Sequence, residues 1–197
     1  MTILQGKRAL VCGSTQGIGL ACATEFARAG ATITLLARNP AALEEVAGKL
    51  PGGPHAWLVA DFQDPAAVRD TAARWLDQNG PVHILVNNTG GPPGGPVLEA
   101  EGEEFERAFA AHLLCNQHLA RLVVPGMRTL GYGRIVNIIS TSVKQPIPGL
   151  GVSNTIRGAV ASWSKTVAGE VGKDGITVNN VLPGATRTGR LERLMAN

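Results

Sequence analysis

Apolar residues along this chain gather in short, nearly unbroken runs, separated by longer segments with a helical pattern. The runs are RALVC at 8–12, ATITLLA at 31–37, AWLVAD at 56–61, HILVNNT at 83–89, RIVNIIS at 134–140 and ITVNNVLP at 176–183. They are rich in Val, Ile and Leu and lack a clean in-and-out alternation, which predicts strands buried on both faces. The spacing between them predicts helices over 17–29, 40–50, 65–79, 103–130 and 153–172, with a further start near 189. Pro40 and Pro65 fall where a helix begins, a place where a missing N–H costs nothing. Gly30 falls just past the first helix and suits a left-handed cap. Repeated strand–helix–strand units predict an α/β fold, a doubly wound parallel sheet with helices on both faces and right-handed crossovers. Such sheets bind ligands beyond the carboxyl ends of their strands. Residues 13–19, 38, 61, 87–91, 140 and 184–188 all follow strands and therefore gather along one rim.

The first of these turns reads GSTQGIG, with Gly13, Gly17 and Gly19. Glycines let the backbone turn tightly and approach a pyrophosphate, while the following helix offers free N–H groups and the positive end of its dipole. A tight turn with no ligand is the rival reading, since the chain holds 25 glycines. Sites for NAD often carry an acid about 20 residues past the glycines, for the ribose 2′-hydroxyl. Here Ala37 is followed by Arg38. A guanidinium pairs with a 2′-phosphate in two-pronged fashion, which favours NADP(H) over NAD(H); a solvated loop arginine is the alternative.

Composition narrows the classes further. The 197 residues, 44% hydrophobic and 17% charged, suit one globular domain over 1–197. No apolar stretch is long enough to span a bilayer, and MTILQGKRALVCGS lacks the order of a signal peptide. A net charge of +3, without a basic run, argues against nucleic acid as a partner. Cys12, Cys22 and Cys115 are odd in number and set in apolar surroundings, as reduced core thiols of a cytoplasmic protein would be. His55, His83 and His118 have no clustered acidic or thiol partners, so no metal site is expected. Trp57, Trp75 and Trp163 read as packing residues.

Several stretches then converge. GSTQGIG, Asp61 after the third strand, NNTG at 87–90, Ser140 ending IVNIIS, and LPGATRT at 182–188 occur in this order on the expected elements. Together they resemble the short-chain dehydrogenase/reductase family, near its 3-oxoacyl-carrier-protein reductase branch, from about residue 5 to residue 190. The resemblance implies a Rossmann fold. It implies that Gly13, Ser14, Gln16, Gly17, Ile18 and Gly19 line the pyrophosphate and adenosine, with Arg38 at the 2′-phosphate. Asp61 and Phe62 would meet the adenine; Asn88, Thr89 and Gly90 would follow the adenine ribose and the floor of the site. Pro183, Gly184 and Thr188 would face the nicotinamide. Bland roles stay open beside these, such as Asn87 and Asn88 satisfying turn groups or Asp61 serving a helix amino end. Family members continue past such a segment, which implies that a C-terminal part of this fold is absent here. The helices at 103–130 and 153–172 form the dimer face in the family, implying a homodimer or homotetramer.

The catalytic positions depart from the family. Its carbonyl-holding serine is matched by Ser140, but Ser153 stands where the proton-donating tyrosine is expected and Arg157 where the lysine is expected. The family's asparagine position falls on His112. A phenol with a reference pKa of about 10 is drawn toward neutrality by an adjacent cation; a serine hydroxyl is a far weaker acid, and arginine does not release its proton. Tyr132, the chain's only tyrosine, lies before the fifth strand, on the opposite edge. His112, an imidazole with a reference pKa of about 6.5, and Lys144, on the loop after Ser140, are the candidate proton donors. A structural histidine and a solvated lysine are their rivals, and Ser153-Asn154 also suits a helix N-cap. The leading reading is an NADP(H)-dependent oxidoreductase acting on a small carbonyl or alcohol substrate, with 3-oxoacyl-like compounds among the candidates. A dinucleotide-binding sensor or partner protein without catalysis is the second, and a lyase or epimerase on the same scaffold the third.

Overall fold

All six apolar runs become strands of one parallel sheet in the computed structural model, which describes residues 2–189, 191 and 192. They are β1 (Arg8–Cys12), β2 (Thr32–Ala37), β3 (Ala56–Val59), β4 (Ile84–Asn87), β5 (Gly133–Ile138) and β6 (Ile176–Val181). Each is shorter than its apolar run at one end or both, except β1. The residues shed at the carboxyl ends, such as Asp61, Asn88 and Ser140, form the loops of the rim. The order β3-β2-β1-β4-β5-β6 reverses direction between β1 and β4, which is the crevice where sheets of this kind take ligands. All pairings are parallel, with Val11 opposite Val86 and Asn87 opposite Asn137.

The helices are α1 (Gly17–Arg28), α2 (Pro40–Lys49), α3 (Pro65–Asn79), α4 (Gly102–Phe109), α5 (Cys115–Thr129) and α6 (Gly151–Val171). Pro40 and Pro65 lie in first turns whose caps, Asn39 and Asp64, accept from Ala42 N and Ala67 N at 3.1 and 3.0 Å. Gly30 follows α1 with φ of 96°, the left-handed cap expected of it. One layer of the core lies between the sheet and α3, α5 and α6, around Leu10, Leu85, Leu119 and Ile135. The other lies under α1 and α2, around Val11, Ile33, Leu35 and Val86. Two sequence expectations are corrected in part. Cys22 is half-buried while Cys12 and Cys115 are buried, and Trp57 is 39% exposed on edge strand β3.

Two helix boundaries also differ from the pattern. The long helix expected over 103–130 is broken by a π-helical segment, Ala110–Leu114, between α4 and α5. The extra residue in that turn belongs to the stretch that carries His112, and such bulges gather at functional positions. α6 starts at Gly151, earlier than expected, with Leu150 as its cap residue. Ser153 and Asn154 therefore lie inside the first turns and are not the N-cap. Instead Asn154 Nδ2 donates to Ile147 O at 2.9 Å and its Oδ1 accepts from Ile147 N at 3.4 Å. The helix start expected near 189 runs into residues 190 and 193–197, which lie outside the described residues. Among the described residues no helix is long and apolar enough to cross a membrane, and no group of three or more His, Cys, Asp or Glu side chains could hold a metal ion.

Candidate active site

The turn after β1 is shaped by what its glycines cannot carry. Gly13 and Gly17 have φ of 56° and 55°, a region that side chains disfavour. Gly19 has ordinary φ, but a Cβ there would stand 2.1 Å from Gly13 O and 2.7 Å from Asn88 Nδ2. Asn88 holds the same turn from β4, its Nδ2 lying 3.2 Å from both Cys12 O and Gly13 O. Gln16 is the N-cap residue of α1 and makes no side-chain cap bond, so the first N–H groups of the helix face outward unclaimed by it. Ser14 is fully buried, and its hydroxyl has no hydrogen-bond partner. A buried polar atom left unpaired costs roughly 1–3 kcal/mol. Its place beside a glycine cradle and a helix amino end makes a ready acceptor site for an anionic group.

The remaining rim residues fall around this turn. Arg38 is exposed directly after β2, and Asp61 is exposed after β3 with its Oδ1 accepting from Gln63 N at 3.0 Å. The Phe62 side chain is 7% exposed within the core, and its carbonyl accepts from the Cys115 thiol at 3.4 Å. Ile18 packs against the core under α1, and Thr89 and Pro183 are half-buried, while Gly90 and Gly184 are exposed. Thr188 comes back across the chain to Gly17, close enough that a Cβ on Gly17 would stand 3.4 Å from its methyl. Pro183 O accepts from Thr141 N at 3.1 Å, joining the loop after β6 to the turn after β5.

Three of the four candidate catalytic residues lie on the turn after β5 and on α6, which packs against that turn. Ser140 caps the short 3-10 turn Thr141–Val143, its Oγ accepting from Ser142 N at 3.0 Å. Arg157 is 9% exposed and sends Nη1 to Ile138 O at 2.9 Å, two residues before Ser140. Ser153 lies one turn earlier on α6 and is also buried. His112 is 3% exposed in the π-helical segment, against which α6 packs. Lys144, by contrast, is exposed at the end of the 3-10 turn. Tyr132 lies at the other edge of the sheet, between Lys7 and Arg134.

Sequence reasoning missed what holds this rim together. Asn87, Asn137 and Asn180 stand side by side on β4, β5 and β6. Asn87 Nδ2 donates to Asn137 Oδ1 at 2.8 Å, and Asn137 Nδ2 donates to Ser164 Oγ at 3.0 Å and to Asn180 Oδ1 at 3.2 Å. The signal was present as an asparagine near the end of each strand, in VN at 86–87 and 136–137 and in VNN at 178–180. A second missed feature is the seam over α6. Gly95 N donates to Gly149 O at 2.7 Å, Gly151 N donates to Gly95 O at 3.1 Å, and a Cβ on Gly151 would stand 2.5 Å from Val97 Cα. The loop after β4 is thereby fastened onto the loop that leads into α6.

An open parallel sheet with this strand order and a glycine cradle at its crevice is a Rossmann-type α/β domain. The match to known proteins narrows it: residues 7–197 fit the model of the short chain dehydrogenase family, and the chain belongs to that family. It is similar to D-beta-hydroxybutyrate dehydrogenase of Rhizobium meliloti, 34% identical over 95% of this chain and 74% of that protein. Among solved structures it is similar to L-sorbose reductase of Gluconobacter frateurii, complexed with NADPH and L-sorbose. That likeness has a TM-score of 0.91 at 35% identity, over 96% of this chain and 73% of that one. It is also similar to the 3-ketoacyl-(acyl-carrier-protein) reductase of Brucella melitensis complexed with NADH, with a TM-score of 0.89 at 32% identity over 98% and 81%. The resemblance to this branch of the family, read first from motifs, thus stands.

Proposed function

We propose that the protein is an NADP(H)-dependent oxidoreductase interconverting a small carbonyl compound, of the 3-oxoacyl or sugar kind, and its alcohol. The cradle at the amino end of α1 carries this reading. It combines a turn with no room for a Cβ at Gly19, a helix amino end without a side-chain cap, and the unpartnered Ser14 hydroxyl. These features fit a pyrophosphate, with Ser14, Gln16, Gly17 and Ile18 around it and Asn88, Thr89, Gly90, Pro183, Gly184 and Thr188 along the rest of the dinucleotide. A nicotinamide held at this rim supplies or accepts a hydride.

The chain's own groups then have separable tasks. Ser140 Oγ already accepts from Ser142 N, which fixes the oxygen and leaves its O–H to donate to a substrate carbonyl. Arg157, held by Ile138 O, places a permanent positive charge where negative charge develops on that oxygen. Neither Ser153 nor Arg157 releases a proton readily, which leaves His112 and Lys144; this reading takes His112 as the donor, since it is buried in the segment that α6 packs against while Lys144 faces solvent. Steady-state turnover of NADPH over a panel of carbonyl compounds tests the reading. His112→Ala is expected to slow turnover about 100-fold, the usual yield of a positioned proton donor. His112→Asn, which restores the family's residue, is expected not to rescue it; full activity in that variant would assign His112 to holding a water. The replacement of the family's tyrosine by buried Ser153 favours a second reading, a dinucleotide sensor without turnover. NADPH binding with no oxidation across the panel would select it.

Arg38 decides the cofactor in this reading. Arg38→Asp is expected to weaken NADPH binding about 30-fold, the roughly 2 kcal/mol of a charge-assisted pair, and to leave NADH binding unchanged or tighter. Nicotinamide fluorescence titrations measure both, and equal loss for the two nucleotides would remove Arg38 from the 2′-phosphate.

A further inference from the structure

At the edge of the sheet opposite the rim, cations surround two aromatic rings. Lys7 and Arg8 lead into β1, Trp75 lies on α3, His83 precedes β4, and Tyr132 and Arg134 stand at the entry to β5. Lys7 Nζ and Arg134 Cζ each lie 4.1 Å from the centroid of Tyr132, and Arg8 Cζ lies 5.1 Å from that of Trp75. The His83 ring is 6.1 Å from the Tyr132 ring. Carbonyls fix the guanidiniums: Arg8 Nη1 donates to Asn79 O at 2.5 Å, and Arg134 Nη1 to Gly133 O and Gly175 O at 2.7 and 3.0 Å. Among the described residues no carboxylate pairs with any of the three. Among the described residues the ion pairs are Arg28–Glu25, Lys49–Glu45, Arg69–Asp70 and Arg128–Asp174. Asp174, next to Gly175, is therefore engaged by Arg128.

Neutralising helix ends explains only part of this charge. The carbonyl ends of α3 and α5 point to this edge, and each carries roughly half a negative charge. Together they offset about one of three cations, leaving about two in excess. Burial, then Lys7 and Arg8, hold the His83 imidazole below its ordinary range. Its Nδ1 accepts from Arg8 N at 3.2 Å, which places the ring proton on Nε2 as a donor.

We propose that this cluster binds a small, multiply charged anion bearing phosphate groups, with Lys7, Arg8 and Arg134 supplying charge and His83 Nε2–H a hydrogen bond. Two of the three cations are guanidiniums, whose planar fork matches phosphate oxygens, and a dianionic phosphate matches the excess charge. The site is separate from the dinucleotide rim and does not depend on it.

The test titrates inorganic pyrophosphate into the full chain at constant ionic strength, following the ring-proton NMR signal of His83, assigned with His83→Gln. A saturable shift of that signal, with Kd about millimolar or tighter, is expected, without matching shifts at His55 or His118. Lys7→Ala with Arg134→Ala should weaken binding about tenfold or more, and Lys7→Arg should preserve it. If the double variant does not fold, Lys7→Gln alone should weaken binding about threefold. An unmoved His83 signal, equal shifts at all the histidines, citrate binding as tightly as pyrophosphate, or unaltered affinity in the folded variants would each overturn the proposal.

Discussion

Gly19→Ala is expected to cost at least about 100-fold in NADPH affinity, because the new methyl meets main chain that cannot rotate away. Its Cβ would stand 2.1 Å from Gly13 O and 2.8 Å from Gly13 C, with Asn88 Nδ2 at 2.7 Å. Ordinary contact needs more than an ångström of extra separation from that oxygen. Only α1 or the turn itself can move to provide it. Either movement breaks the paired contacts of Asn88 with Cys12 O and Gly13 O, and turns the first N–H groups of α1 away from the cradle. Gly48→Ala is the control. It lies inside α2, where a Cβ meets nothing within 4 Å, so it should add about 0.5–1 kcal/mol of helix stability and leave affinity alone. Fluorescence titration with NADPH, alongside thermal melts of both variants, reads the difference. Native affinity in a folded Gly19→Ala protein would mean that the cradle holds no pyrophosphate, and the oxidoreductase reading would go with it.

That glycine was legible in the sequence, and so was most of the architecture. Strands buried on both faces need Val, Ile and Leu without interruption, and the runs at 8–12 and 176–183 announce β1 and β6 nearly to the residue. What the chain hid were features set by partners far away in sequence. AAHLL at 110–114 reads as ordinary helix, since nothing in its composition resists an α-turn; its π-turn was not foreseen, and contacts with α6 surround it. Phe62 follows the exposed Asp61, yet alternation beyond the end of β3 turns its ring inward. Ser153 and Asn154 have the chemistry of cap residues, but Gly151, with Val97 pressed against its Cα, lets the helix begin earlier. The rim residues were likewise found by position, while the hydrogen bonds that align them were not.

The largest stability effect should come from those bonds. Asn137→Ala is expected to destabilise the protein by roughly 3–5 kcal/mol, read as a fall in urea midpoint without a change in slope. Asn137 is 0% exposed and is the middle member of the row: it accepts from Asn87 and donates to Ser164 and Asn180. Its removal strands three polar groups at once, at about 1–3 kcal/mol each before any water enters. Ser164→Ala removes a single bond and should cost about 1 kcal/mol. The exposed pair Lys49–Glu45 should contribute well under 1 kcal/mol. The strands that Asn137 joins carry Asn88 to Gly90, Ser140, and Pro183 with Gly184 at their ends, so the same row keeps the three loops of the rim in register. Partial loss of NADPH affinity should therefore accompany the loss of stability in Asn137→Ala but not in a surface variant of equal stability. A cost below about 1 kcal/mol for Asn137→Ala would show that the row is three separate contacts rather than one network.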